Sequence, residues 1–97
     1  MSSDIQLHQH LVGAPQGRGQ LNTPVLLVDA AILDRNIALM AQRARAAGVK
    51  LRPHGKTHKC VNIAQRQLDA GAVGLCCAKI GEAEVMADGG ITGLLIT

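Results

Sequence analysis

The sequence predicts an α/β chain, a parallel βα repeat forming the first half of a (β/α)8 TIM-type barrel, truncated after its fourth strand. Three observations carry this. Short apolar runs without charge, at residues 25–28, 72–78 and 93–97, alternate with segments of helical period. Ala47-Gly48, Ala70-Gly71 and Gly89-Gly90 each close a helix and hand over to a strand, at spacings of 23 and 19 residues. Uncharged strands alternating with helices pair in parallel through right-handed crossovers. A whole barrel takes about 250 residues; the 97 here supply four strands and three helices. Ending on an apolar strand with no closing helix reads as truncation. A flavodoxin-like open sheet would share the alternation, but no Gly-rich phosphate loop follows the first strand.

Residues 1–22 read as an irregular arm, rich in Gln, Gly, Ser and His, with Gly13-Ala14-Pro15 and Gly17-Arg18-Gly19 as breakers. His8 and His10 on such an arm read as solvated side chains rather than a metal pair. The domain proper is residues 23–97. Its first strand, residues 23–28, is an unbroken apolar run expected to be buried on both faces, with Pro24 at the tolerated first position. Asp29 stands where an N-cap belongs. Residues 30–47 then place Leu33, Ile37, Met40, Ala44 and Ala47 along one side of a helix stopped by Gly48.

The second strand, residues 50–56, is the unusual one. Alternation puts Lys50, Arg52, His54 and Lys56 on one face and Leu51, Pro53 and Gly55 on the other. A strand with an apolar or small face and a cationic face is not ordinary core, and strand C-termini carry the chemistry of βα barrels. Lys56 lies at that end. A helix over residues 61–70 follows, with Ile63, Ala64 and Leu68 inward. The third strand spans 72–78, a short helix 82–88, and the fourth strand 93–97. Cys76 and Cys77 point to opposite faces and read as small buried hydrophobes. Lys79 and Glu82 read as a rim pair, or Glu82 as a helix-start carboxylate. His54 and His58 have helical metal-pair spacing, but Pro53 and the strand argue against a helix there.

Composition narrows the partners. The net charge is +3, yet no carboxylate lies between Asp34 and Asp69, an interval holding eight Lys and Arg residues. Such a field attracts an anion. Single-stranded nucleic-acid sites add aromatic platforms, and this chain has no Phe, Tyr or Trp; a small anion is the expected partner. No apolar run approaches the ~20 residues of a membrane span, and Met1-Ser2-Ser3-Asp4 lacks the features of a secretory signal. Cys60, Cys76 and Cys77, an odd set without a C-x-x-C pair, favour free thiols and a cytoplasmic setting. Without aromatics, and with two open strand edges, the isolated chain is expected to be marginally stable.

Several motifs occur in order: Thr23-Pro24-Val25-Leu26-Leu27-Val28-Asp29, Arg35-Asn36-Ile37, Arg52-Pro53-His54-Gly55-Lys56-Thr57-His58-Lys59, Ala72-Val73-Gly74-Leu75-Cys76-Cys77-Ala78-Lys79 and Gly81-Glu82-Ala83-Glu84. Together they closely resemble the N-terminal part of the D-threonine aldolase and D-serine dehydratase-like enzymes. These are fold-type III pyridoxal-phosphate enzymes on the alanine-racemase-type barrel. The resemblance implies pyridoxal 5'-phosphate as cofactor, Lys56 as the lysine that carries it, and Arg52, His54 and His58 as residues near it. It implies a lyase acting on a D-configured β-hydroxy amino acid, homodimeric at full length. D-Threonine aldolase is the first choice, because Arg66-Gln67-Leu68 and Cys76-Cys77 resemble that branch. A D-serine or D-3-hydroxyaspartate dehydratase, a related aldolase, a cofactor carrier and an inactive truncated product are the alternatives. The resemblance also implies a divalent metal and a phosphate site, both held by residues that this chain does not contain.

Overall fold

A computed structural model of the chain describes residues 8–97. The first seven residues of the expected arm lie outside the described residues. The rest of the arm forms two short 3-10 turns, Gln9–Leu11 and Gly17–Gln20, joined by irregular backbone. His8 is half-buried there, and its Nε2 accepts the Asn22 N–H at 3.1 Å.

Three helices follow: α1 (Ala30–Ala46), α2 (Val61–Asp69) and α3 (Ile80–Asp88). Each begins and ends for a local reason. Asp29 caps α1, its Oδ1 accepting the Ile32 N–H at 3.1 Å. At the other end the Gly48 N–H donates to the Arg45 carbonyl and the Val49 N–H to the Ala44 carbonyl, both at 3.0 Å. That pair of bonds is a Schellman closure, which needs a left-handed residue just past the helix. Gly48 supplies it at φ +70°. The same closure recurs after α2, with Gly71, and after α3, with Gly90. The glycine repeat in the sequence is thus a repeat of one helix-ending device. Helix α3 begins at Ile80, two residues earlier than expected, because Glu82 turns back to accept the Ala78 N–H at 3.2 Å.

Strands β1 (Leu75–Cys77) and β2 (Leu94–Ile96) pair in parallel with Leu75 opposite Leu94, Cys76 opposite Leu95 and Cys77 opposite Ile96. The cationic strand joins the other side of β1 through one parallel bridge, His54 to Cys76. Cys76 donates its N–H to the Pro53 carbonyl and accepts the Gly55 N–H, both at 2.8 Å. The expected longer ladder stops there because Pro53 has no N–H to give. One step earlier the pairing slips, with the Val73 N–H rather than that of Gly74 donating to the Leu51 carbonyl.

The core lies between this sheet and the helices. Leu75, Cys77 and Met86 are almost wholly buried, together with Ala64, Ala83 and Ile91, and Val61, Leu68 and Leu94 close the edges. Each large side chain so buried contributes about 1.5–3 kcal/mol. The opposite face of the sheet carries Arg52, His54, Cys76 and Leu95 and is open, with Leu95 46% exposed.

One expected strand differs. Residues 23–28 make no ladder bond among the described residues, and Leu26 is 92% exposed. A strand buried on both faces needs helices on one side and an opposing barrel wall on the other. The described residues provide neither for this run. Among the described residues, no helix is long and apolar enough to cross a membrane.

Candidate active site

The register fixes which side chains share the open face. His54 lies opposite Cys76, and Cys76 opposite Leu95, forming one row across three strands. Arg52 lies two residues before His54 and Lys56 two residues after it. The alternation read from the sequence holds in part: Lys50 and Arg52 are exposed and Gly55 is buried against Leu75, but Pro53 and His54 are both half-buried and the exposed Lys56 already lies in the turn.

Below the row, Arg52 reaches across β1 to donate Nε–H to the Gly93 carbonyl at 3.0 Å. The same carbonyl accepts the Leu75 N–H at 3.2 Å. The crossing requires that nothing project from Gly74, whose backbone touches that of Gly93. Arg52 therefore ties three strands together. Cys76 adds a weak contact, Sγ lying 3.6 Å from the Arg52 carbonyl.

Above the row the chain leaves the sheet. The last ladder bond is from the Gly55 N–H, and Lys56 is the first residue past it. Its own N–H donates to His54 Nδ1 at 3.2 Å, so the His54 ring braces the backbone of the lysine that follows. The Lys56 amine makes no hydrogen bond or ion pair among the described residues. The turn closes when the Lys59 N–H donates to the Gly55 carbonyl at 2.8 Å. Lys59 adopts φ +51°, a left-handed conformation unusual for a side-chain-bearing residue. It borders an apolar hollow of about 240 Å³ with Gly81, Val85 and Met86, on the helix side of the molecule.

His58 sits apart from His54, between this turn and α2. Its Nδ1 accepts the Cys60 N–H at 3.0 Å, and Nε2 is 3.1 Å from Gln67 Oε1. Since Nδ1 accepts, the ring proton is on Nε2 and is donated to Gln67. Gln67 is the participant that periodicity did not single out. The only hint in the sequence is that Ala64, Gln67 and Leu68 share the inward side of α2.

Of the remaining residues, Glu82 serves as the helix-start carboxylate described above. Cys77 is buried on the helix side, and burial, followed by the charges of Glu82 and Cys76, pushes its thiol up from the ordinary value. All three cysteines are free. Arg66 pairs with Asp34 of α1 at 2.7 Å, on the outside and away from the open face.

Residues 28–97 match the family described as alanine racemase, N-terminal domain. The 3-hydroxy-D-aspartate aldolase of Paracoccus denitrificans is 44% identical over 79 residues, which is 80% of this chain and 20% of that protein. The D-threo-3-hydroxyaspartate dehydratase of Delftia sp. (strain HT23) is 45% identical over 75 residues, 77% of this chain and 20% of that one. The crystal structure of D-threonine aldolase from Filomicrobium marinum superposes with a TM-score of 0.75 at 53% identity, over 78% of this chain and 21% of its own. The chain spans about a fifth of the length of these relatives.

Proposed function

Because the chain belongs to the alanine racemase N-terminal domain family, we propose that it is the lysine-bearing part of a pyridoxal-phosphate-dependent lyase acting on D-configured β-hydroxy amino acids. Cleavage of D-threonine to glycine and an aldehyde is the first choice. The observation that carries the reading is the placement of Lys56. It is the first residue beyond the last ladder bond, two residues after His54 of the open face, and exposed, with an amine that has no partner among the described residues.

The donor set fits the cofactor. An unpaired amine suits an aldehyde, and no carboxylate stands in the chain between Asp34 and Asp69 to oppose a phosphorylated anion. Pyridoxal phosphate, when bound, supplies an electron sink for the bond broken at Cα. Lys56 would hold it, His54 fixes the backbone from which Lys56 projects, and Arg52 fixes the strands beneath. The described residues bring no three potential metal ligands together. A divalent metal bound elsewhere in a full-length protein, a homodimer and a cytoplasmic setting belong to the same reading.

Dehydration is the second reading, supported by the dehydratase relative at an identity close to that of the aldolases. The deciding experiment uses a chimera in which residues 23–97 replace the matching N-terminal fifth of the Filomicrobium marinum D-threonine aldolase. Loaded with pyridoxal phosphate and given D-threonine, it is expected to release glycine and acetaldehyde. Ammonia and a keto acid would move the assignment to the dehydratase branch. Neither product would sink the lyase reading.

A further inference from the structure

We propose that Gln67 is a positioning residue for Lys56, acting through the His58 ring; the inference rests on the reading of Lys56 as the cofactor lysine. The turn at residues 56–59 connects the last ladder bond to the start of α2, and it is strained. Lys59 holds a left-handed conformation that costs a residue with a side chain about 1–2 kcal/mol and persists only where its surroundings enforce it. The enforcing contacts are few. At one end the Lys59 N–H is bound to the Gly55 carbonyl. At the other, Cys60 caps α2 without a side-chain capping bond, and its own N–H is taken by His58 Nδ1.

His58 is the one side chain of the turn that is hydrogen-bonded to the body of α2, through Nε2–H to Gln67. Both ring nitrogens are thereby committed, one as acceptor and one as donor. The ring has nothing left to offer a cofactor, but it can hold the turn in only one tautomer. Gln67 selects that tautomer, since its Oε1 accepts the Nε2 proton and leaves Nδ1 bare for Cys60. The clamp thus joins α2 to the segment that aims Lys56, in the way an outer hydrogen bond orients a histidine ligand.

The charged groups around the ring are Lys56 and Lys59 on its own turn. On α2, Arg66 is turned to Asp34 of α1 and Asp69 accepts a hydrogen bond from Gln65. On α3, Glu82 is bound to the Ala78 N–H. None of these hydrogen-bonds the ring, so the neutral amide of Gln67 sets the tautomer.

Gln67→Glu is the test variant, equal in size and opposite in effect. A carboxylate at this place favours the doubly protonated ring, whose Nδ1–H cannot accept the Cys60 N–H. Imidazole nitrogen NMR of the chimera, with or without cofactor, is expected to show the Nε2–H tautomer for His58, shifted toward the doubly protonated ring in Gln67→Glu. In the chimera, Gln67→Glu should lower turnover about tenfold or more, as small misplacement of a reacting group does. Gln67→Leu, which removes the acceptor without adding a charge, should lower turnover too and leave the His58 tautomer unfixed. A Nδ1–H tautomer in the parent, or turnover unaffected by Gln67→Glu, would overturn the inference. A parent chimera that never takes up pyridoxal phosphate defeats the reading of Lys56 instead, and the NMR still decides the clamp.

Discussion

Gly74→Ala and Gly81→Ala make a matched pair whose effects should have opposite signs. A Cβ on Gly74 would fall on the Gly93 carbonyl oxygen, with the Gly93 carbonyl carbon at 2.6 Å and Cα at 2.8 Å. Those are backbone atoms and cannot rotate away. Gly93 is held by φ +67° and by two bonds to its carbonyl, from Leu75 N–H and Arg52 Nε–H. Strands β1 and β2 must separate to admit the methyl group. Overpacking of this kind costs about 1–3 kcal/mol, and losing the two bonds adds about 1 kcal/mol for each. The expected loss is therefore about 3–5 kcal/mol, large against the stability of a small domain. Gly81 lies inside α3, and a Cβ there meets nothing within 4 Å. Alanine at that position should stabilise by about 0.5–1 kcal/mol through helix propensity. The assay is urea unfolding of the chain in trimethylamine-N-oxide, which strengthens burial. Far-ultraviolet circular dichroism must report it, because the chain has no aromatic residue. A Gly74→Ala midpoint equal to that of the parent would refute the close approach of β1 and β2.

Met86 is almost wholly buried between α2, α3 and the sheet, so Met86→Ala should cost about 2–5 kcal/mol in the same assay. Without the osmolyte the chain should unfold at low temperature with weak cooperativity, since the open face and residues 23–28 leave apolar surface in water; sharp unfolding at high temperature would contradict this. Cys77 should be the last of the three thiols to react with iodoacetamide, because burial shields it and its thiol is pushed up. The sign for stability follows: the unfolded thiol ionises first, so its contribution is complete below the unfolded value and lost as pH rises through the folded one. Cys77→Ala should flatten that alkaline loss.

Much of the fold was legible because local chemistry decided it. Asp29 caps α1 as its position implied, and Gly48, Gly71 and Gly90 end three helices by the same left-handed turn. The alternation of residues 50–56 survives in part, as exposed cations opposite a buried glycine, although Pro53 reduces the ladder to a single bridge. What depended on long-range partners was not legible. Residues 23–28 have the composition of a buried strand, yet among the described residues they stay exposed, Leu27 and Val28 sharing only an open hollow with Leu11, Ala14 and Leu21. The contact of Gly74 with Gly93 and the Arg52 bond across it join residues far apart in sequence, which no period encodes. The bond between His58 and Gln67 likewise joins a turn to a helix nine residues on, which no period encodes.

The central claim is that Lys56, and not Lys50 or Lys59, carries the chemistry. Borohydride reduction of the chimera loaded with pyridoxal phosphate, followed by peptide mapping, tests it most directly. The pyridoxyl label is expected on Lys56, with Lys56→Ala unlabelled at that site and inactive, and Lys59→Ala still labelled on Lys56. A label on Lys59, with Lys56→Ala still turning over D-threonine, would contradict both the strand register and the family assignment of the lysine.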